Sequence, residues 1–216
     1  MRMSQNQPFS VPPIAIRLLI ALAAIQLVRE VLTPDLDAYL VFYLGFSLFR
    51  DGFLDPVWIY GAVTAVLVHG GWWHLASNAM WLVVVSPQIV PHMNNRRFVA
   101  FFMVTGTAGA VFHALLNWGE PAFLVGASGA VFGLLGAGAY VLIRGQDDFS
   151  RPSGRDIAQY VLLMMIVNVG YAVMSGGNVS WEAHAGGFFA GLALFPFMRQ
   201  RPDNPNPDRP FRVIGN

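Results

Sequence analysis

The sequence holds a serine and a histidine in settings that suit a nucleophile and its base. Ser128 lies in Gly126-Ala127-Ser128-Gly129, within a run from 122 to 143 that carries no charged residue, and His184 lies in Ala183-His184-Ala185-Gly186-Gly187, near the start of the last apolar run. A serine hydroxyl attacks a carbonyl only when a base within about 3 Å takes its proton, and neutral imidazole is the usual base near neutral pH. Acyl transfer also needs donors aimed at the developing oxyanion, each worth roughly 3 to 4 kcal/mol in a preorganised site. His74 and Asn78, spaced i, i+4 and so on one helical face, can supply side-chain donors. The Ser128 amide is a third candidate, because first-turn amides lack intrahelical acceptors. On a continuous helix His69 is rotated about 140° from His74 and nearer the surface, in a supporting position.

The residue inventory removes several alternatives. There is no cysteine, and all 13 basic residues are arginine. Thiolate nucleophiles, disulfides, thiolate metal sites and a serine-lysine dyad are therefore excluded. His69, His74 and His184 make a poor zinc set, since the first two do not share a helical face and no carboxylate completes a zinc motif; no metal and no cofactor are expected. A net charge of +1 with scattered arginines speaks against a nucleic-acid partner. His92 falls in a connection and His113 near the outer end of a span, with no spacing that assigns either a role.

Charged residues make up 12% of the 216-residue chain and apolar residues 55%, where a soluble domain carries roughly 25% charged. This is the composition of an integral membrane protein. Stretches 13–32, 62–87, 98–118, 122–143, 157–175 and 182–198 approach the roughly 20 residues a spanning helix needs, which predicts an all-α bundle of six transmembrane helices. The first carries Arg17 and lacks a small-residue cleavage site, as a retained span does. Between the first two, Tyr39 to Phe49 is too short to cross and is expected in the interface or re-entering partway, with Trp58 and Tyr60 suited to an interfacial belt.

With six alternating spans, Arg2, Arg96, Arg97, Arg144, Arg151, Arg155, Arg199, Arg201, Arg209 and Arg212 share one side, and only Arg29 and Arg50 fall on the other. Asp35, Asp37, Asp51, Asp55, Glu120 and Glu182 collect opposite the arginine-rich side. The positive-inside rule then predicts cytoplasmic termini: a short N-terminus over 1–12, a membrane domain over 13–199 and a Pro-rich tail over 200–216. The N-terminus has no Arg-rich, Ser-rich presequence, so a bacterial plasma membrane is expected.

That topology brings His74, Asn78, Ser128 and His184 into one leaflet from three remote segments, which implies a shared water-accessible pocket. Gly126, Gly129, Gly133 and Gly136 make a small-residue stripe, answered by Gly187 and Gly191, so a tight crossing would carry His184 toward Ser128. Phe132, one turn past Ser128, is placed to stack on the imidazole in the absence of an orienting carboxylate. Taken singly, each signal is ordinary: a membrane serine most often packs or back-bonds, and small-xxx-small spacing marks helix packing.

Together, His69-Gly70-Gly71-Trp72-Trp73-His74-Leu75-Ala76-Ser77-Asn78, Gly126-Ala127-Ser128-Gly129 with Gly133, and Ala183-His184-Ala185-Gly186-Gly187 resemble, in this order, the rhomboid intramembrane serine proteases. The resemblance covers spans two to six. It implies a Ser128–His184 dyad without an acid, an oxyanion site from His74, Asn78 and the Ser128 amide, a gating fifth helix and a membrane-embedded first loop. It also implies a serine endopeptidase that cleaves transmembrane segments of other membrane proteins within the lipid bilayer. Two positions depart from the family's pattern: Trp58-Ile59 where many members carry Trp-Arg, and Phe132 where bacterial members often carry tyrosine. The competing readings are a catalytically silent relative that binds membrane clients and a small transporter or proton channel; the polar residues stop midway and no inverted repeat is evident, which disfavours the latter.

Overall fold

The computed structural model describes residues 10–50, 53–54, 58–120, 123–144, 153–174 and 179–200. Most of the Pro-rich tail and the first nine residues, with Arg2, Asp51, Asp55, Arg151, Arg201, Arg209 and Arg212, lie outside the described residues. The chain runs α1 (Pro13–Glu30), α2 (Pro34–Leu44), β1 (Phe46–Ser47), β2 (Phe49–Arg50), β3 (Phe53–Leu54), α3 (Trp58–Thr64), α4 (Trp72–Ile89), α5 (Asn95–Leu116), β4 (Phe123–Leu124), α6 (Ser128–Arg144), α7 (Gly154–Met174) and α8 (Trp181–Met198). It is an all-α, multi-helix membrane bundle with two minimal ladders, β1 with β4 and β2 with β3. Among the described helices, α5 and Gly154–Val173 of α7 are long and apolar enough to cross a bilayer, while Trp58–Leu67 and Ser128–Ile143 are apolar but shorter.

Two expected spans are corrected. The stretch 62–87 is not one helix: α3 ends in a 3-10 turn at Ala65–Leu67, and α4 begins only at Trp72, after Gly71 at φ 134°. The stretch 122–143 is helical only from Ser128. Its preceding backbone is committed elsewhere, since Phe123 and Leu124 pair antiparallel with Ser47 and Phe46, and the Gly126 N–H donates to the Ala65 carbonyl at 2.8 Å. An amide engaged across the chain cannot also close a helical turn. Between α1 and α3, α2 runs 11 residues, about 16 Å of helix and too short to span a bilayer. Thr33 caps it, and its Leu36, Tyr39 and Phe42 are exposed.

Helix α6 is the hub. Ala130, Val131, Phe132, Leu134, Leu135 and Ala137 are all buried, as expected for a helix apolar all round. Its most extensive packing is against α8. A Cβ on Gly187 would overlap the Gly129 carbonyl oxygen, one on Gly191 the Gly133 carbonyl, and one on Gly136 the Phe188 carbonyl. The two backbones therefore touch directly, as in membrane bundles where small residues replace the missing hydrophobic drive between helices. The α6 glycines do not all face one helix, because a Cβ on Gly133 would run into Thr105 of α5 and one on Gly126, before the helix, into the His74 ring. At the far end of α8, Arg97 of α5 donates to the Met198 and Arg199 carbonyls at 3.4 and 3.5 Å, and the Gln200 N–H reaches the His92 carbonyl at 2.8 Å.

Gly191→Val is expected to destabilise the bundle by about 1 to 3 kcal/mol through overpacking at this contact. Gly154→Ala, at a position with open space around it, should leave the unfolding midpoint in detergent unchanged. Equal midpoints for the two variants would show that the α6–α8 contact is not tight.

Candidate active site

Ser128 is the first residue of α6 and is half-buried. As a helix start it has an amide without an intrahelical acceptor. The two residues before it are fixed from outside the helix: Gly126 by the Ala65 carbonyl, and Ala127, whose N–H donates to His69 Nε2 at 3.4 Å. A small cavity of about 20 Å³, lined by Ala65, Gly106, Gly126, Ser128, Gly129 and Ala183, adjoins the serine.

From α4, His74 comes to rest against this turn. A Cβ on Gly126 would lie 2.6 Å from both Cε1 and Nε2 of its ring, so only glycine fits; its φ of 116° also favours glycine. The Gly70 N–H donates to His74 Nδ1 at 3.2 Å. In the neutral ring the proton is then on Nε2, the atom that faces the loop ahead of Ser128. Asn78, one turn on and buried, donates from Nδ2 to the His74 carbonyl at 2.8 Å and accepts at Oδ1 from the Tyr171 hydroxyl of α7 at 3.0 Å. Exchanging its amide atoms would set two carbonyl oxygens together, so the orientation is determined.

His184, in the first turn of α8, is buried and lies flat on Phe132, with ring centroids 4.2 Å apart and planes 9° from parallel. Gly129 and Gly187 bring the two helices together within a turn of this stack. The ring's Nδ1 lies 3.2 Å from Asn168 Oδ1, and Tyr171 packs beside it at 5.2 Å between centroids. Glu182, two residues away, is turned to α5, where its Oε2 meets His113 Nδ1 at 3.4 Å. The described residues contain no group of three His, Cys, Asp or Glu side chains placed to hold a metal.

His69 is corrected. Because α4 starts at Trp72, His69 is in the preceding loop, and it is buried rather than nearer the surface. Its ring meets that of His74 edge to face at 5.3 Å, and its carbonyl accepts from Arg29 Nη1. Arg29 grips Asp37 of α2 with Nε and Nη2 at 2.7 and 3.1 Å and Gln26 with Nη1 at 2.9 Å, a bidentate fork joining α1, α2 and the His69 loop. At the opposite end of the bundle, burial and the nearby Arg199 charge hold His92 below the usual imidazole range.

Three residues that matter to this geometry escaped sequence reasoning: Arg29, Asn168 and Tyr171. A polar side chain inside or at the end of an apolar helix needs a partner, and that signal was available for Arg29 and Asn168. Tyr171 carried none, since a tyrosine in a membrane helix is equally at home packing.

These features define a polytopic helical membrane protein with a polar site built from α4, α6, α7 and α8 around a half-buried serine and a stacked histidine. Residues 57–201 match the Rhomboid domain. The chain belongs to the rhomboid family. It is 31% identical over 136 residues to the rhomboid protease GluP of Bacillus subtilis, covering 61% of this chain and 25% of that protein. It is 28% identical over 140 residues to RHOMBOID-like protein 5 of Arabidopsis thaliana, covering 65% and 44%, and 32% identical over 143 residues to rhomboid-like protease 5 of Toxoplasma gondii, covering 66% and 16%. The chain thus spans less than half the length of these relatives.

Gly126→Ala places a methyl against the His74 ring in a backbone conformation that alanine rarely adopts. We expect this variant to be destabilised by about 1 to 3 kcal/mol; an unfolding midpoint in detergent equal to that of the wild type would show that the His74 ring is not held against Gly126.

Proposed function

We propose that this chain is a serine endopeptidase that hydrolyses peptide bonds in or near transmembrane segments of other membrane proteins. The observation that carries the reading is His184 stacked on Phe132, one turn from Ser128, with His74 held against Gly126. His184 Nε2 takes the Ser128 hydroxyl proton as Oγ attacks the scissile carbonyl. The charge that develops on the carbonyl oxygen is met by the Ser128 N–H, His74 Nε2–H and the second hydrogen of Asn78 Nδ2. The imidazolium returns its proton to the leaving amine, and a water activated by the same base releases the acyl-enzyme. Phe132 orients the imidazole by stacking.

In this reading the bundle crosses the membrane six times, through α1, α4, α5, α6, α7 and α8, with both termini in the cytoplasm of a bacterial cell. The first loop, with α2, is membrane-embedded. Breaks ahead of α4 and α6 open a cavity to the outer leaflet that water can fill. The substrate helix arrives from the bilayer past α4 and α7 and unwinds so that its carbonyl reaches Ser128.

The test is incubation of purified protein with a panel of single-span substrates. Ser128→Ala and His184→Ala should each lower cleavage by roughly 1,000-fold or more while the variants stay folded. A fluorophosphonate should label Ser128, which a silent client-binding relative would not permit. Cleavage that survives Ser128→Ala would refute the mechanism. If the small cavity of about 20 Å³ beside Ser128 receives the side chain next to the scissile bond, replacing alanine by phenylalanine there should lower kcat/KM by about 10-fold or more; indifference to that change would place the substrate elsewhere.

A further inference from the structure

Helix α7 is the least buried of the long apolar helices, yet it contributes two polar side chains to the site. Asn168 and Tyr171 are three residues apart on one face, one turned to His184 and the other to Asn78. The proposed hydrolysis demands one tautomer of His184, with a bare nitrogen toward the serine, and nothing on α4, α6 or α8 selects it. Phe132 stacks on the ring face and is blind to which nitrogen carries the hydrogen. Glu182, the nearest carboxylate in sequence, is engaged with His113.

Asn168 is placed to make the selection. Its Nδ2 donates to the Met164 carbonyl at 3.1 Å, and its Oδ1 faces His184 Nδ1 at 3.2 Å. Exchanging the amide atoms would oppose Oδ1 to the Met164 carbonyl, so the backbone of α7 itself holds the oxygen toward the imidazole. A carbonyl oxygen only accepts. His184 must therefore carry its hydrogen on Nδ1, which leaves the Nε2 lone pair free.

We propose that Asn168 is a positioning residue of the catalytic machinery: by accepting from His184 Nδ1–H it fixes the tautomer in which Nε2 is the base for Ser128. The proposal rests on the protease reading for its consequence, though not for its geometry. It gives the site, which among the described residues has no carboxylate placed behind the histidine, a neutral acceptor that orients the ring without adding charge in a low-dielectric setting.

The test combines a structural and a kinetic readout on the full-length protein in lipid. With ¹⁵N-labelled histidine, and His184→Phe to assign its signals, solid-state NMR of the wild type should show His184 neutral with its hydrogen on Nδ1. Asn168→Leu, which keeps bulk without an acceptor, should yield a mixture of tautomers. Asn168→Asp, measured at a pH where the buried carboxyl is protonated so that its O–H replaces Nδ2 toward the Met164 carbonyl, keeps an acceptor oxygen and should retain Nδ1–H. On a single-span substrate, Asn168→Leu should lower kcat roughly 10- to 100-fold, with KM changed less than about threefold, and Asn168→Asp should recover most of the loss. A wild-type His184 protonated on Nε2, or an Asn168→Leu protein with unaltered tautomer and wild-type kcat, would overturn the assignment. Absence of Ser128-dependent cleavage in the wild type would defeat the protease reading instead, and the NMR result would still decide the tautomer.

Discussion

The direct contact between the backbones of α6 and α8 is the constraint on which the rest of the site depends. Lipid tails are as apolar as leucine, so two membrane helices gain nothing from the hydrophobic effect by meeting, and association rests on close packing. Here Gly187 and Gly191 each direct a missing side chain at a carbonyl oxygen of α6, and Gly136 does the same toward α8. Approach at this range brings Cα–H groups onto carbonyl oxygens, a weak interaction repeated along the seam. It also sets the depth at which His184 meets α6. Were the seam lined by leucine, the helices would stand several ångströms further apart, and the imidazole would no longer rest on Phe132.

A second requirement follows from where α6 begins. A helix start within a membrane protein exposes amides that neither lipid nor helix can satisfy, so the surrounding protein has to do so. The turn before Ser128 meets this demand in three ways: Phe123 and Leu124 pair with β1, Gly126 reaches Ala65, and Ala127 reaches His69. His69 is in turn held through its carbonyl by Arg29, itself clamped to Asp37. The first loop is thereby tied to the loop ahead of the serine by an arginine from α1, in a chain that carries Ile59 where many of the family carry arginine. The amide at Ser128, the first residue of α6, has no intrahelical acceptor, while those of Gly126 and Ala127 just ahead of it are engaged by Ala65 and His69.

Much of the site was legible in the sequence because its key relations are short-range or periodic. The one-turn spacing of Ser128 and Phe132, the shared face of His74 and Asn78, and the glycine spacing of the two helices all follow from helical geometry. What periodicity reports is which residues share a face, not which neighbour covers that face. Gly133 therefore read as part of a stripe toward one helix, although it accommodates Thr105 of another. Apolar composition likewise does not show where a helix begins: 122–143 is uniformly uncharged, but Phe123 and Leu124 are extended and Gly126 is turned toward Ala65, because β1 and Ala65, remote in sequence, engage this backbone. A surface position for His69 follows only from the same assumption of unbroken helix. Asn168 and Arg29 stand out as polar residues that need partners, but a hydrogen bond to a distant segment leaves no spacing that identifies the partner.

The distribution of burial adds a kinetic consequence. α5, α6 and α8 are locked by glycine contacts, whereas α7 is mostly exposed and touches the site chiefly through Asn168, Tyr171 and, lower down, a bond from Tyr160 to the Leu135 carbonyl. It is far less buried than α5, the other helix long and apolar enough to span a bilayer, and a segment with little buried surface is cheap to displace. If a substrate helix passes between α4 and α7, the bonds to Asn78 and His184 are the ones that part. In the proposed reading, an outward α7 would leave His184 free to sample both tautomers and Asn78 free to turn, so the site would be competent only once α7 returned against a seated substrate. Admission and chemistry would then be separate in time, and a lipid or a passing helix that merely displaced α7 would meet a serine without a properly presented base.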